Sequence, residues 1–200
     1  MNDIRTDKKI SREFYLCDGL EAAEKLLGKI LVHDSPEGLT AGRIVELEAY
    51  MGESDRGCHA YGGRRTSRTE IMYAEGGRAY VYLIYGMHCC MNIIVNGENI
   101  PHCIFLRALE PVEGIELMER RRGTDKLNNL CSGPGKLCIA MGIDKSLYGE
   151  DLCGNRLWGS ELERLAVIVV ILLTWWRNRA EERVELGLLL GGLFAFHLFS

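Results

Sequence analysis

Residues Tyr80 to Asn92 read YVYLIYGMHCCMN, and this stretch leaves the chain few choices. Aromatic and branched side chains crowd both sides of a single Tyr85-Gly86 step, a composition that fits strands and resists helix. Gly86 supplies the backbone freedom of a tight turn, so the segment reads as a hairpin with Tyr85 at or near its tip. Two uses of its rings are open. Tyr80, Tyr82 and Tyr85 can pack a core; alternatively the tip ring, badly placed for a core, is placed as a wedge into a stack of bases. The hairpin by itself favours packing.

The flanking sequence gives an α/β order. Asp18 followed by Glu21 has capping-box character, and Gly28 closes that helix after Leu26 and Leu27. Lys29 to His33 and Thr40 to Glu48 read as strands joined by the Ser35-Pro36-Glu37-Gly38 turn. Arg78 to Tyr85, Met87 to Asn96 and His102 to Leu106 are further β-runs, and Val112 to Arg122 and Gly135 to Met141 read as helices. Short connections between successive strands predict an α+β single domain, a curved and mainly antiparallel sheet flanked by helices. A length of 200 residues buries one substantial core without splitting.

A formal net charge of -4 runs against a nucleic-acid binder, so any phosphate contact must come from local clusters. Arg64, Arg65 and Arg68 in a glycine-flanked turn qualify, as does Lys136 behind Gly133-Pro134-Gly135, at a helix start. Arg120 to Arg122 read better as a solvated face. None of the eight cysteines forms a CxxC pair, and His59, His88 and His102 do not supply zinc spacing, so no metal site is expected. Reduced thiols and a polar start without a cleavable leader point to the cytoplasm.

Chemistry concentrates in Arg43-Ile-Val-Glu-Leu-Glu-Ala-Tyr50, then His59 and the Gly62-Gly63-Arg64-Arg65-Thr66 turn. A carboxylate at the end of an apolar strand, beside a tyrosine and upstream of a histidine, has the makings of a hydrolytic site. Glu46 is read as facing away from it, toward a cation or solvent. These blocks, with Leu26 to Lys29, Phe105-Leu-Arg-Ala-Leu-Glu-Pro111 and Leu130-Cys-Ser-Gly-Pro-Gly-Lys-Leu137, resemble the alkyladenine (3-methyladenine) DNA glycosylase family from about Phe14 to Trp158.

The resemblance implies a partner, double-stranded DNA containing a damaged purine, and a monofunctional hydrolysis that leaves an abasic site and needs no cofactor. It implies Tyr85 as the residue inserted into the minor groove, with Met87 beside it. Tyr50, His59 and Tyr82 would sandwich the extruded base, and Asn92 would turn away the exocyclic amino group of guanine. Glu48 would deprotonate water beneath an oxocarbenium-like sugar while Arg107 positions that water. Arg64, Arg65 and Lys136 would hold the DNA backbone. A monomer without a stable protein partner is expected.

Residues 1–158 are thus read as the glycosylase-like domain and 159–200 as an atypical apolar segment, either part of the same domain or a poorly packed tail. Leu165 to Trp176 and Leu186 to Ser200 are each shorter than the roughly 20 residues of a membrane helix, so membrane contact is not expected. Two alternatives stay open: a damaged-DNA binder that has lost turnover, and an unrelated small-molecule hydrolase acting through Glu48 and His59.

Overall fold

The computed structural model describes Ile4 and residues 8–161. Six strands, β1 (Ile30–Ser35), β2 (Gly38–Tyr50), β3 (Arg78–Ile84), β4 (His88–Val95), β5 (His102–Glu113) and β6 (Leu157–Ser160), form one curled sheet in the order β3-β4-β5-β2-β1-β6. Every pairing is antiparallel. The helices are α1 (Arg12–Tyr15), α2 (Gly19–Leu26), α3 (Ile115–Arg122), α4 (Leu127–Leu130) and α5 (Pro134–Met141). The expected α+β architecture is the observed one.

Local chemistry explains most element boundaries. Asp18 caps α2 by accepting from the Leu20 N–H at 2.9 Å, while Glu21 pairs with Lys25 one turn later. Ser35 and Gly38 close the β1–β2 hairpin around Pro36 and Glu37, as the turn residues predict. The helix expected over Val112 to Arg122 starts three residues late, at Ile115. Glu110, Pro111 and Glu113 instead extend β5 by pairing with Arg43, Gly42 and Ala41 of β2. Gly114 then makes the break: its φ is +72°, and a Cβ there would lie 2.2 Å from the Leu39 carbonyl oxygen.

One sheet face is buried against helices. Ala79, Val81, Met91, Ile93, Ile104 and Leu106 meet Leu26, Met118, Leu137, Cys138 and Met141 in the main core. Strand alternation therefore commits the opposite face, carrying the intervening residues, to something other than this core. β6 runs through the boundary expected after Trp158, and Gly159 and Ser160 pair with Leu31 and Ile30. The apolar runs at Leu165 to Trp176 and Leu186 to Ser200 lie outside the described residues.

Candidate active site

Register assembles the site. Tyr80, Asn92, Phe105 and Glu48 stand opposite one another across β3, β4, β5 and β2, and the next row brings Ile94, Cys103 and Tyr50 together. Residues directly opposite on neighbouring strands share a face, here the one turned away from the helices. Tyr82 joins them two residues after Tyr80. The connection between β2 and β3 crosses this face: Cys58, Ala60, Met72 and Tyr73 bury with Tyr80, Ile94 and Cys103 in a second apolar cluster, which fixes His59 over the sheet.

His59, Tyr50, Tyr82 and Asn92, brought from three strands and a loop, line one cavity together with Tyr80 and Cys103. The His59 and Tyr82 rings meet edge to face with centroids 4.9 Å apart. His59 Nδ1 lies 2.9 Å from the Tyr80 hydroxyl. Burial pushes that phenol up to about 12, so it keeps its proton. Burial, then the positive charges of Arg68 and Arg64, lower the His59 pKa and favour a neutral imidazole. The space these side chains line is about 40 Å³.

Glu48 sits beside this cavity with one oxygen hydrogen-bonded and the other near a cation whose Nε makes no hydrogen bond among the described residues. The Tyr50 hydroxyl donates to Oε2 at 2.8 Å, and Arg107 Nε lies 3.3 Å from Oε1. Two bulges create the second contact. Between Ile44↔Leu109 and Glu46↔Ala108, Val45 is an extra residue of β2; between Glu46↔Ala108 and Leu47↔Leu106, Arg107 is an extra residue of β5. A bulge re-aims the side chain it carries, and Arg107 is aimed at the carboxylates. Glu46 does not face away: residues two apart on a strand share a face, and Glu46 Oε1 stands 4.0 Å from the same Arg107 Nε.

At the far end of β3, Tyr85 and Gly86 both have positive φ, +54° and +69°, and Met87 N–H bonds the Ile84 carbonyl at 3.2 Å. Two positive φ values and this bond make a twist-matched primed β-turn, and because Ile84 pairs with His88 the connection is three residues long, Tyr85 to Met87. Tyr85 is 85% exposed and Met87 73% exposed, so the tip ring packs no core. A tyrosine held at positive φ and left in water is costly twice over, and such outliers persist where they are used.

The sequence profile of the family described as methylpurine-DNA glycosylase matches residues 13–169. The chain belongs to that family. Curated relatives carry the name "Putative 3-methyladenine DNA glycosylase". One, from Desulfitobacterium hafniense, is 45% identical over 183 residues, covering 88% of this chain and 90% of its own. A second, from Clostridium acetobutylicum, is 48% identical over 161 residues, covering 76% and 78%. A third, from Chlorobaculum tepidum, is 45% identical over 155 residues, covering 77% and 74%. The family match runs past Trp158, where the quoted motifs stop.

The cations expected to meet a DNA backbone differ in what already holds them. Arg65 donates to both oxygens of Glu70 and to Asn99 Oδ1, and its guanidinium lies 4.7 Å over the Tyr73 ring. Its charge is largely spent inside this methylpurine-DNA glycosylase family fold. Lys136 meets only neutral partners, Asn129 at 2.6 Å and Ser132 at 3.3 Å, and Arg64 is exposed with no side-chain partner among the described residues. Arg68 is exposed and stacks 4.8 Å from the Tyr82 ring centroid. Met72 and Cys103 were not singled out in the sequence. Cys103 carries a signal, since it lies two residues before Phe105 on a strand already read as β; Met72, in a 3-10 turn, carries none. Among the described residues no three His, Cys, Asp or Glu side chains gather as a metal site requires, and no helix is long and apolar enough to cross a membrane.

Proposed function

We propose that this protein is a DNA glycosylase that turns an alkylated or deaminated purine out of duplex DNA and hydrolyses its N-glycosidic bond with a water activated by Glu48. One observation carries the reading: three strands and one loop bring Tyr50, His59, Tyr82 and Asn92 around a single cavity with the Glu48 carboxylate beside it. Family membership and the names of the relatives support the coarser half, a DNA glycosylase.

Each group has a task in that reaction. A duplex hides the glycosidic bond, so the nucleotide rotates out and Tyr85, with Met87, fills the gap in the stack. The base enters between the rings of Tyr50 on one side and His59 and Tyr82 on the other, where stacking on aromatic faces is worth about 1–3 kcal/mol and tolerates many lesions. While still ionised, Glu48 stabilises the electron-poor sugar as the C–N bond breaks and its electron pair leaves with the base; Glu48 then takes a proton from water as the new C–O bond forms, and that proton goes on to the departed base where the base is not already neutral. The Tyr50 hydroxyl and Arg107 hold the carboxylate in one orientation for this step. Arg64 and Lys136 contact phosphates, while Arg65 acts through the loop it ties down. Water is the nucleophile and no lysine among the described residues lines the pocket, so the product is an abasic site without strand cleavage.

The test is single-turnover release of hypoxanthine, ethenoadenine and 3-methyladenine from defined duplexes, followed by alkali to reveal abasic sites. Wild-type protein should release at least one base, and Glu48→Gln should slow that release by at least a hundredfold. No release from any duplex by folded protein overturns the activity; lesion binding retained in that case would leave a damaged-DNA-binding protein.

A further inference from the structure

Asn92 is unbalanced. It is 3% exposed, it lines the aromatic cavity, and its Nδ2 group is buried without a hydrogen-bond partner among the described residues. Buried amide donors are nearly always paired, so an orphan inside a cavity points to an acceptor that arrives from outside. The other end of the amide is occupied: the Cys103 thiol, also 3% exposed, donates to Asn92 Oδ1 at 3.6 Å.

The two ends of an amide are almost the same size, so packing cannot tell them apart; only donors and acceptors nearby can. We propose that Cys103 is a positioning residue that fixes the Asn92 amide with Nδ2 turned into the cavity, so that the pocket reads a hydrogen-bond acceptor on the base and repels an amino group. This rests on the reading of the cavity as a base pocket. Guanine carries an amino group where hypoxanthine has only a hydrogen, beside a ring nitrogen that accepts. Hypoxanthine satisfies the orphan donor, whereas guanine sets donor against donor. Asn92 then discriminates by pairing as well as by bulk, and pairing discriminates more sharply than shape.

The experiment measures single-turnover release of hypoxanthine and of mismatched guanine from matched duplexes. Cys103→Ala should lower the hypoxanthine-to-guanine ratio by about fivefold to tenfold, the worth of one hydrogen bond, while Cys103→Ser, which keeps a donor, should restore most of it. Circular dichroism confirms folding, and should Cys103→Ala not fold, Cys103→Val, which fills the space without a donor, takes its place. A wild-type ratio in the donor-free variant overturns the role of Cys103 alone. Release of ethenoadenine or 3-methyladenine without hypoxanthine overturns this inference, and no release of any of the three bases overturns the base-pocket reading with it.

Discussion

His59 shows how far a residue's role depends on what folding places beside it. Its presence near a carboxylate motif is legible in the sequence; its partner is not, because Tyr80 is 21 positions away and reaches Nδ1 only when β3 takes its place at the sheet edge. Burial and the nearby Arg68 and Arg64 lower its pKa, and burial does the same to His33. The sign follows directly. The unfolded chain binds protons on both rings near 6.5, whereas the folded chain refuses them until lower pH, so stability is full above 6.5 and declines as pH falls through it. Denaturant unfolding at pH 8, 6.5 and 5.5 should show this acid loss, and His59→Gln should lose less stability over that range than wild type does. Equal losses in the two proteins would remove His59 from the account. Glu46 teaches the complementary lesson: alternation in β2 already set it on the side of Glu48, but only the extra residue in β5 brought Arg107 within reach of both.

Strands and turns were more legible than the places where they meet. The β3–β4 hairpin declared itself through its rings and Gly86, and the structure gives it the expected turn with Tyr85 at the tip. The paired bulges at Val45 and Arg107 left no local mark, since a bulge is a property of two strands and each strand alone reads as regular. The tail of β5 was lost to helix for a similar reason: Val112 and Glu113 suit either element, and pairing with β2 decided. At the hairpin the cost of function is open to measurement. Tyr85 adopts φ +54°, a conformation that asparagine tolerates far better, and Tyr85→Asn would create the Asn-Gly pair that this turn prefers. The variant should gain about 1 kcal/mol of stability, raising the unfolding temperature by roughly 2–4 °C for a chain of this size. It should also lose base release from duplex DNA, since nothing would fill the gap left by the extruded nucleotide. A more stable variant with undiminished release would show that the tip ring is not a wedge.

For the molecule as a whole the difficulty is charge. A chain with net charge -4 must hold a polyanion through the few cations it does not neutralise internally. Composition could only state that problem, because partners decide which cations remain available. Arg43 is spent on Glu110, Arg121 on Glu37 and Arg65 on Glu70, whereas Arg64 and Lys136 meet no carboxylate among the described residues. Each phosphate contact contributes a slope of about -0.9 to the dependence of log affinity on log salt. Arg64→Gln and Lys136→Gln should therefore each flatten the salt dependence of duplex binding by about one unit and weaken binding to every sequence alike. Arg65→Gln should leave the slope nearly unchanged, because the charge it removes is matched by Glu70, and should lower thermal stability instead through the loss of the contacts to Glu70, Asn99 and the Tyr73 ring. The comparison separates two meanings of a basic residue near the site. If Arg65→Gln flattened the slope as much as Arg64→Gln, the Arg65–Glu70 pair must open when DNA binds, and the loop bearing His59 would be remodelled on the duplex instead of meeting it preformed.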